Sequence, residues 1–123
     1  MSSGDQRQPE DLFAGSPEGL ELYDAVARAV ADIGEATVRV TKSQVAFRRR
    51  KGFAYVWRPG MYVRSNVPAV LSIALPRALE SDRFKSVVHP SAHVWMHHLE
   101  LTEKSQIDDE VRGWLLAAYD DAG

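Results

Sequence analysis

The strongest constraint on this chain is a stretch of 44 residues, Ala36 to Leu79, that contains no aspartate and no glutamate. It holds nine arginines and lysines, whereas residues 1–35 carry eight acids against two bases and residues 80–123 carry nine against four. Most of the strand-like sequence also lies in this stretch. The charge pattern therefore predicts a positively charged sheet between two acidic, helix-like arms.

Length and composition narrow the class of protein. The 123 residues predict a single domain at residues 12–123. Residues 1–11 are polar and poor in apolar side chains, which predicts a disordered tail. The absence of cysteine excludes disulfides, thiolate catalysis and cysteine-based zinc sites. The polar start has no apolar signal segment and no apolar run could cross a bilayer, so we expect a cytoplasmic protein without a membrane partner.

Helix signals stand at both ends of the domain. Ser16 and Pro17 are typical of a helix start, and Gly34 is typical of a helix end. Ser105, followed three residues later by an acid, predicts the start of a second helix. Apolar residues recur in both segments at spacings of three and four, which places them on one face. These residues are Leu20, Tyr23, Val26, Ala27, Val30 and Ile33 in the first helix and Ile107, Val111, Trp114, Leu115 and Ala118 in the second.

Alternating apolar and polar residues predict strands at 37–41, 44–49, 53–57, 70–75 and 94–101. In the first of them, Val38 and Val40 would face the core while Arg39 faces solvent. Turn signals separate the first three strands, which we predict to form an antiparallel meander. The segment from Arg83 to Val88 fits either a strand or a turn. The fold class is α+β, with a mainly antiparallel sheet of about five strands and an N-terminal and a C-terminal helix packed on it.

Cations alternate with aromatic residues in the acid-free stretch, and this combination suits an anionic partner. Guanidinium groups pair with phosphates and aromatic faces stack on bases. We predict a non-enzymatic binding module that engages nucleic acid, a phosphorylated ligand or an acidic protein through a basic sheet face. The plain alternative is a solvated face, partly neutralised by acids of the helices. The predicted ligand-binding residues are Lys42, Arg48, Arg49, Arg50, Lys51, Arg58 and Arg64.

The basic-face hypothesis makes a direct prediction. Changing Arg48, Arg49 and Arg50 together to serine is expected to leave the fold intact and to abolish binding. A further hypothesis is a protein-interaction or homodimerisation module, in which two copies pair through Tyr55, Trp57 and Tyr62. Sedimentation at micromolar concentration separates a dimer from a monomer.

Four histidines, at positions 89, 93, 97 and 98, raise the question of a metal. The alternation after residue 92 indicates a strand, on which His97 and His98 point to opposite faces and only His98 and Glu100 share one. His93, His98 and Glu100 are thus the candidates for an alternative function as a histidine-dependent hydrolase or metal enzyme. No metal or other cofactor is predicted. We expect His97 to be half-buried and satisfied by one hydrogen bond.

Sequence motifs give little support to catalysis. The chain has no G-x-S-x-G elbow, Walker loop, G-x-G-x-x-G or H-E-x-x-H sequence. Ser43, Ser65 and Ser72 have the context of ordinary strand or loop serines. We therefore predict no enzyme activity.

A family resemblance is carried by five segments: Lys42–Phe47, Gly52–Val56, Leu71–Leu75, His97–Leu101 and Asp108–Tyr119. In that order they resemble the bacterial and archaeal family catalogued as domain of unknown function 5655, over nearly everything after residue 12. The resemblance implies a compact α+β domain with a helix at each end of a mainly antiparallel sheet, and no established activity. It also suggests a fold akin to the small YjbR-like and YdhG-like domains, some of which are described as DNA-binding. No catalytic role comes with the matching residues.

Overall fold

The computed structural model describes residues 7–61 and 64–123, which are built around one antiparallel sheet of six strands. In spatial order the sheet is β1-β2-β3-β4-β6-β5, and every neighbouring pair is antiparallel. The predicted α+β class and the meander of the first three strands are confirmed. The strands are β1 (Thr37–Val40), β2 (Val45–Arg48), β3 (Gly52–Trp57), β4 (Ala69–Leu75), β5 (Ser86–Ser91) and β6 (Val94–Leu101). The sixth strand is β5, where the sequence fitted either a strand or a turn.

Three helices accompany the sheet: α1 (Pro9–Leu12), α2 (Pro17–Ile33) and α3 (Asp109–Asp121). The predicted start of α2 is confirmed, because the Gly19 amide donates to Ser16 Oγ at 3.2 Å. Helix α1 begins inside the segment that we predicted to be a tail, and residues 1–6 of that segment lie outside the described residues. None of the helices in the described part of the chain has the length and apolar character needed to cross a membrane.

The start of α3 differs from the prediction. Ser105 lies in a separate 3₁₀ turn (Lys104–Gln106), and Asp108 caps the helix by accepting from the Val111 amide at 3.1 Å. The Gln106 side chain accepts from the backbone amides of Thr102 and Glu103, which stabilises the separate turn. The helix therefore begins three residues later than the Ser105 signal implies.

The cap at Asp108 predicts a pH dependence of stability. The hydrogen bond from the Val111 amide, followed by the bond from the Arg83 guanidinium, lowers the pKa of Asp108 from its ordinary 3.8. A carboxyl group whose pKa is lower in the folded state than in the unfolded state stabilises the protein at pH values above its unfolded-state pKa. This stabilisation is lost as the pH falls through its folded-state pKa. We expect the urea midpoint of the wild type to fall more steeply below pH 3.8 than that of Asp108→Asn, which keeps a capping oxygen without the charge. Parallel curves for the two proteins would contradict this account.

The two faces of the sheet have different surroundings. Directly opposed residues share a face, so Val56, Leu71 and Leu99 lie on one face, and the core residues of α2 and α3 join them in a single buried cluster. We call this the helix face. The alternate residues of the same strands, such as Ser72 and Val70, are buried but lie outside that cluster. The buried apolar side chains of α2 and α3 belong to the cluster of the helix face, and we call this second side the uncovered face.

Strand β1 corrects one part of the predicted core. Val38 is 46% exposed, although alternation assigned it to the interior, whereas Val40 is partly buried and packs against the core as predicted. The physical reason is position, since β1 is the edge strand while α3 packs on β3 and β4, and α2 on β4. Alternation identifies the side of a strand but not whether another layer covers it.

The connection between β4 and β5 covers the helix face at His97 of β6. Its Leu79 amide donates to His97 Nε2 at 3.0 Å, and Nδ1 of the same ring lies 3.0 Å from the Trp95 carbonyl. Phe84 packs on both the His97 ring and Trp114 of α3. The prediction that His97 is half-buried with one hydrogen bond is therefore wrong: it is 0% exposed and bonded at both ring nitrogens.

Candidate functional site

A cleft of about 380 Å³ opens on the uncovered face, and its shape follows from the strand register. One row of directly opposed residues crosses the sheet as Ala46, Tyr55, Ser72 and His98. Tyr55, Ser72 and His98 of this row line the cleft, and the small Ser72 lies between the two larger side chains. The volume of the cleft lies in the range of small-molecule sites, about 300–1,000 Å³. The cleft is lined by Ser43, Gln44, Tyr55, Trp57, Ser72, Met96 and His98.

A chain of hydrogen bonds runs along the bottom of this cleft. Trp57 Nε1–H donates to Ser72 Oγ at 2.8 Å, and Ser72 Oγ lies 2.6 Å from His98 Nδ1. The indole nitrogen only donates, so the hydroxyl accepts from Trp57 with one lone pair. Its second lone pair and its own proton both suit His98 Nδ1, which accepts from the hydroxyl or donates to it according to the tautomer of the ring.

The electrostatics of His98 agree with a neutral ring. Partial burial disfavours the imidazolium and lowers the pKa of His98 below its ordinary 6.5, and the neighbouring His97 adds a smaller effect in the same direction. The edge of the Trp57–His98 ring pair also fits an uncharged imidazole, with the two centroids 6.1 Å apart and nearly perpendicular. Near pH 7 His98 is therefore a hydrogen-bond donor without charge.

The predicted cations are divided between the two ends of β2. Lys42 is exposed in the hairpin between β1 and β2, beside two residues of the cleft. Arg48 is half-buried at the far end of β2, and it lies on the same face as Ala46 because alternate residues of a strand share a face. Arg39, which the sequence analysis did not select, is directly opposite Ala46 and exposed. The uncovered face thus has a basic border along β1 and β2.

The next three predicted residues contact the end of α3, two through their side chains and Arg50 through its backbone amide. Arg49 Nη1 donates to the Tyr119 carbonyl at 2.9 Å, and its guanidinium lies 4.1 Å from the centroid of the Tyr119 ring. The Arg50 amide donates to the Ala122 carbonyl, and Lys51 pairs with Asp121 at 3.3 Å. Cations at a helix C-terminus are favourable because the last carbonyls carry partial negative charge. These contacts give the turn between β2 and β3 a structural role.

The last two predicted cations are elsewhere. Arg58 Nη1 donates to the carbonyls of Leu12 and Ala14, which holds the segment after α1 against the end of β3. Arg64 is exposed in the connection to β4. The seven predicted residues are therefore not brought to one surface. Lys42 adjoins Ser43, which lines the cleft, and Arg48 lies further along the uncovered face.

This distribution changes the expected result of mutating the turn. The double variant Arg49→Ser with Lys51→Ser should lose about 1 kcal/mol of unfolding free energy, because it removes a cation–aromatic contact and favourable charge at the helix end. We expect urea denaturation to report this loss. The serine triple variant of the sequence analysis also removes Arg49, so we expect it to be less stable than the wild type while remaining folded. A wild-type midpoint in the double variant would contradict the structural role.

The three histidine-site candidates do not converge either. His98 and Glu100 share the uncovered face, as predicted, but His93 lies in the turn before β6. The seven steps along the chain from His93 to Glu100 span about 23 Å in an extended strand. Within residues 7–61 and 64–123, no group of three histidine, aspartate or glutamate side chains is placed to hold a metal ion.

Sequence reasoning missed the centre of the cleft. Ser72 looked like an ordinary strand serine, yet it links Trp57 to His98, which follows it by 26 residues. The available signal was a small polar residue in the middle of the most apolar strand. Tyr62, one of three aromatic residues in the homodimer hypothesis, lies outside the described residues.

Comparison with known proteins gives one match. A family model described as domain of unknown function (DUF5655) matches residues 10–122, which is most of the chain. No curated protein and no solved structure matches. The match agrees with the resemblance drawn from the five sequence segments and brings no assigned activity.

Proposed function

The chain belongs to the family of domain of unknown function 5655, and we propose that it is a non-enzymatic binding module whose anionic ligand lies in the cleft of the uncovered face. The observation that carries the proposal is the combination of a concave site, lined by Tyr55 and Ser72 among others, with cations on the same face of the sheet. This narrows the sequence-based hypothesis from a whole basic sheet to one site.

The cations that support this proposal are Arg39 and Arg48. They occupy diagonal positions on adjacent strands of the uncovered face, because Arg39 is opposite Ala46 and Arg48 is opposite Thr37. Diagonal neighbours on a sheet are about 7–8 Å apart, which is within reach of long side chains. Neither arginine has an ion pair with the described acidic residues. Both can therefore pair with an anionic group at the β2 side of the cleft.

The size of the cleft favours a small ligand over a polymer. A volume of about 380 Å³ accommodates one small organic molecule. A nucleic-acid surface would need several phosphate contacts along an extended path. The cations that would extend the path beyond this face, Arg49 and Lys51, are engaged by the end of α3.

The Ser72–His98 pair supports binding rather than acyl transfer. A serine nucleophile must reach its substrate, but Ser72 is 3% exposed in the middle of β4. Its hydroxyl also accepts a hydrogen bond from Trp57, which engages one of its two lone pairs and lowers its nucleophilicity. In the described part of the chain no carboxylate is bonded to the other nitrogen of His98 to orient it as a base.

The proposal predicts that two arginines control anion binding. We expect Arg39→Gln with Arg48→Gln to weaken binding of phenyl phosphate by roughly tenfold, since two charge-assisted contacts are removed. The measurement is an NMR titration that follows the amide signals of β2, β3, β4 and β6. The matched control is Arg28→Gln with Arg77→Gln, which removes the same charge from exposed positions and should change affinity less than twofold.

Three results would overturn this assignment. The first is equal affinity of the cleft variant and the wild type. The second is a set of shifted signals confined to the turn at residues 49–51. The third is tight binding of an oligothymidylate whose affinity falls steeply with salt, because a single anionic group releases few counterions whereas a strand releases many.

A further inference from the structure

We propose that the ligand of the cleft is a sugar phosphate, whose hydroxyl groups bond to Gln44 and His98. Its phosphate group pairs with Arg39 and Arg48 at the β2 side of the cleft. This inference rests on the proposed function and adds the chemical class of the ligand. Two observations carry it: the described lining of the cleft is polar but uncharged, and the cations of the same face lie to one side of it.

The charge of the lining limits what can fill the cleft. Among the described residues that line it there is no arginine, lysine, aspartate or glutamate. Its one histidine, His98, is uncharged near pH 7, because partial burial lowers the pKa of the ring below the ordinary 6.5. A charged group in the cleft would lose water without gaining a partner of opposite charge. The part of the ligand inside is therefore uncharged, and its anionic group lies toward the arginines.

The uncharged part is assigned from the bonding groups that face it. The backbone of Gln44 bonds to Thr41, and its side-chain amide has no bond to the described residues. Ser72 engages Nδ1 of His98, and Nε2 likewise has no bond to them. The amide both donates and accepts, and Nε2 does one or the other according to the tautomer of the ring. A hydroxyl group matches both partners in either role, since it also donates and accepts.

The width of the cleft suits one sugar ring with its hydroxyl groups. Gln44 precedes β2 and His98 lies on β6, three strand spacings or about 14 Å away between backbones. The volume of about 380 Å³ between them accommodates one small molecule together with bridging water. Tyr55 and Met96 also line the cleft and offer apolar surface to the C–H groups of the ring.

The phosphate is assigned from the row of opposed residues on the first three strands. Arg39, Ala46 and Tyr55 are directly opposed on β1, β2 and β3. An anionic group above β2 is thus one strand spacing, about 4.8 Å, from the strand of Arg39 and one from the strand of Tyr55. Arg48 is diagonal to Arg39, and the oxygens of one phosphate can pair with both guanidinium groups. A phosphate attached to a sugar in the cleft therefore reaches the arginines.

Four probes, titrated into the wild-type protein and followed by NMR, separate the hydroxyl groups from the anion. Glucose 6-phosphate has both features, methyl phosphate has only the anion, methyl glucoside has only the hydroxyl groups, and phenyl phosphate has the anion on an apolar ring. We expect glucose 6-phosphate to bind roughly tenfold more tightly than each of the others, because it alone makes both sets of contacts.

The other outcomes distinguish this inference from the proposed function. If phenyl phosphate or methyl phosphate binds as tightly as glucose 6-phosphate, the hydroxyl assignment is wrong while the proposed function stands. If methyl glucoside binds as tightly as glucose 6-phosphate, the anion contributes nothing and the proposed function fails. The proposed function also fails if no probe shifts the amide signals of residues that line the cleft.

A variant at Gln44 tests the hydroxyl contact directly. Gln44→Leu keeps the backbone bonds to Thr41 and a side chain of similar length, but removes the amide. We expect it to weaken glucose 6-phosphate binding roughly fivefold and to leave methyl phosphate binding within about twofold of the wild type. In the wild type, the side-chain amide signals of Gln44 should shift with glucose 6-phosphate and stay in place with methyl phosphate. Unchanged affinity of the variant for glucose 6-phosphate, or equal weakening of both probes, would overturn the assignment.

Discussion

Replacing His97 by leucine is expected to lower the free energy of unfolding by about 3 kcal/mol. His97 is completely buried, and its Nε2 accepts from the Leu79 amide. A backbone amide only donates, so the proton of this ring is on Nδ1, where it donates toward the carbonyls of Trp95 and Ile73. Leucine fills a similar volume but leaves the Leu79 amide without its bond, at a cost of about 1–3 kcal/mol, and also loses the Nδ1 bonds.

Urea denaturation of two variants tests this account. His97→Gln keeps an acceptor oxygen that can reach the Leu79 amide, so we expect it to lose less stability than His97→Leu. The same substitution one residue later, His98→Leu, should cost about 1 kcal/mol or less, because that ring is half-buried on the uncovered face. Equal losses at the two positions would contradict the assignment of His97 as the buried anchor of the β4–β5 connection.

His97 also shows where sequence reasoning succeeds and where it stops. Alternation placed His97 and His98 on opposite faces of β6, which the structure confirms through their different partners. The depth of His97 depends on the connection after β4, whose Leu79 and Phe84 reach it from 18 and 13 residues away. Local periodicity contains no information about which distant segment covers a strand.

The helices were predictable because their signals are local. Ser16 is followed at once by the proline and the apolar stripe of α2, and Gly34 follows the last residue of the stripe. Asp108 was harder, since Ser105 precedes an acid with the same spacing as a capping box. The competing turn at Lys104–Gln106 is stabilised by the Gln106 side chain, a contact that the pattern rule does not include.

The basic stretch was correctly identified as strands, but the charge pattern does not tell at which end of the sheet each cation lies. Each reversal of the chain sends the next turn to the opposite end of the sheet, so Lys42 and Arg49 lie at different ends of β2. Arg49 and Lys51, in the turn after β2, contact the C-terminus of α3. A high local charge therefore predicts a basic segment, whereas a binding surface also requires the strand register. The register here places Arg39 and Arg48 together on the uncovered face.

Removing Leu71 from the helix face gives the second large effect. Leu71 is 0% exposed at the centre of the sheet, opposite Val56 and Leu99 and beneath the helices. Leu71→Ala should lower the unfolding free energy by about 3–4 kcal/mol, which combines lost burial with the cavity that remains in a closely packed core. The m-value should stay unchanged, because the same surface is exposed on unfolding.

A matched pair of valines separates the two faces of the sheet. Val56→Ala and Val70→Ala delete the same two methyl groups from residues that are 0% and 4% exposed. Val56 lies in the helix-face core, and its loss should cost about 2–3 kcal/mol, because helices and sheet cannot close the cavity. Val70 lies on the uncovered face, where water can enter the space, so about 1 kcal/mol is expected. Equal losses would mean that a second layer covers the face on which the proposed binding site depends.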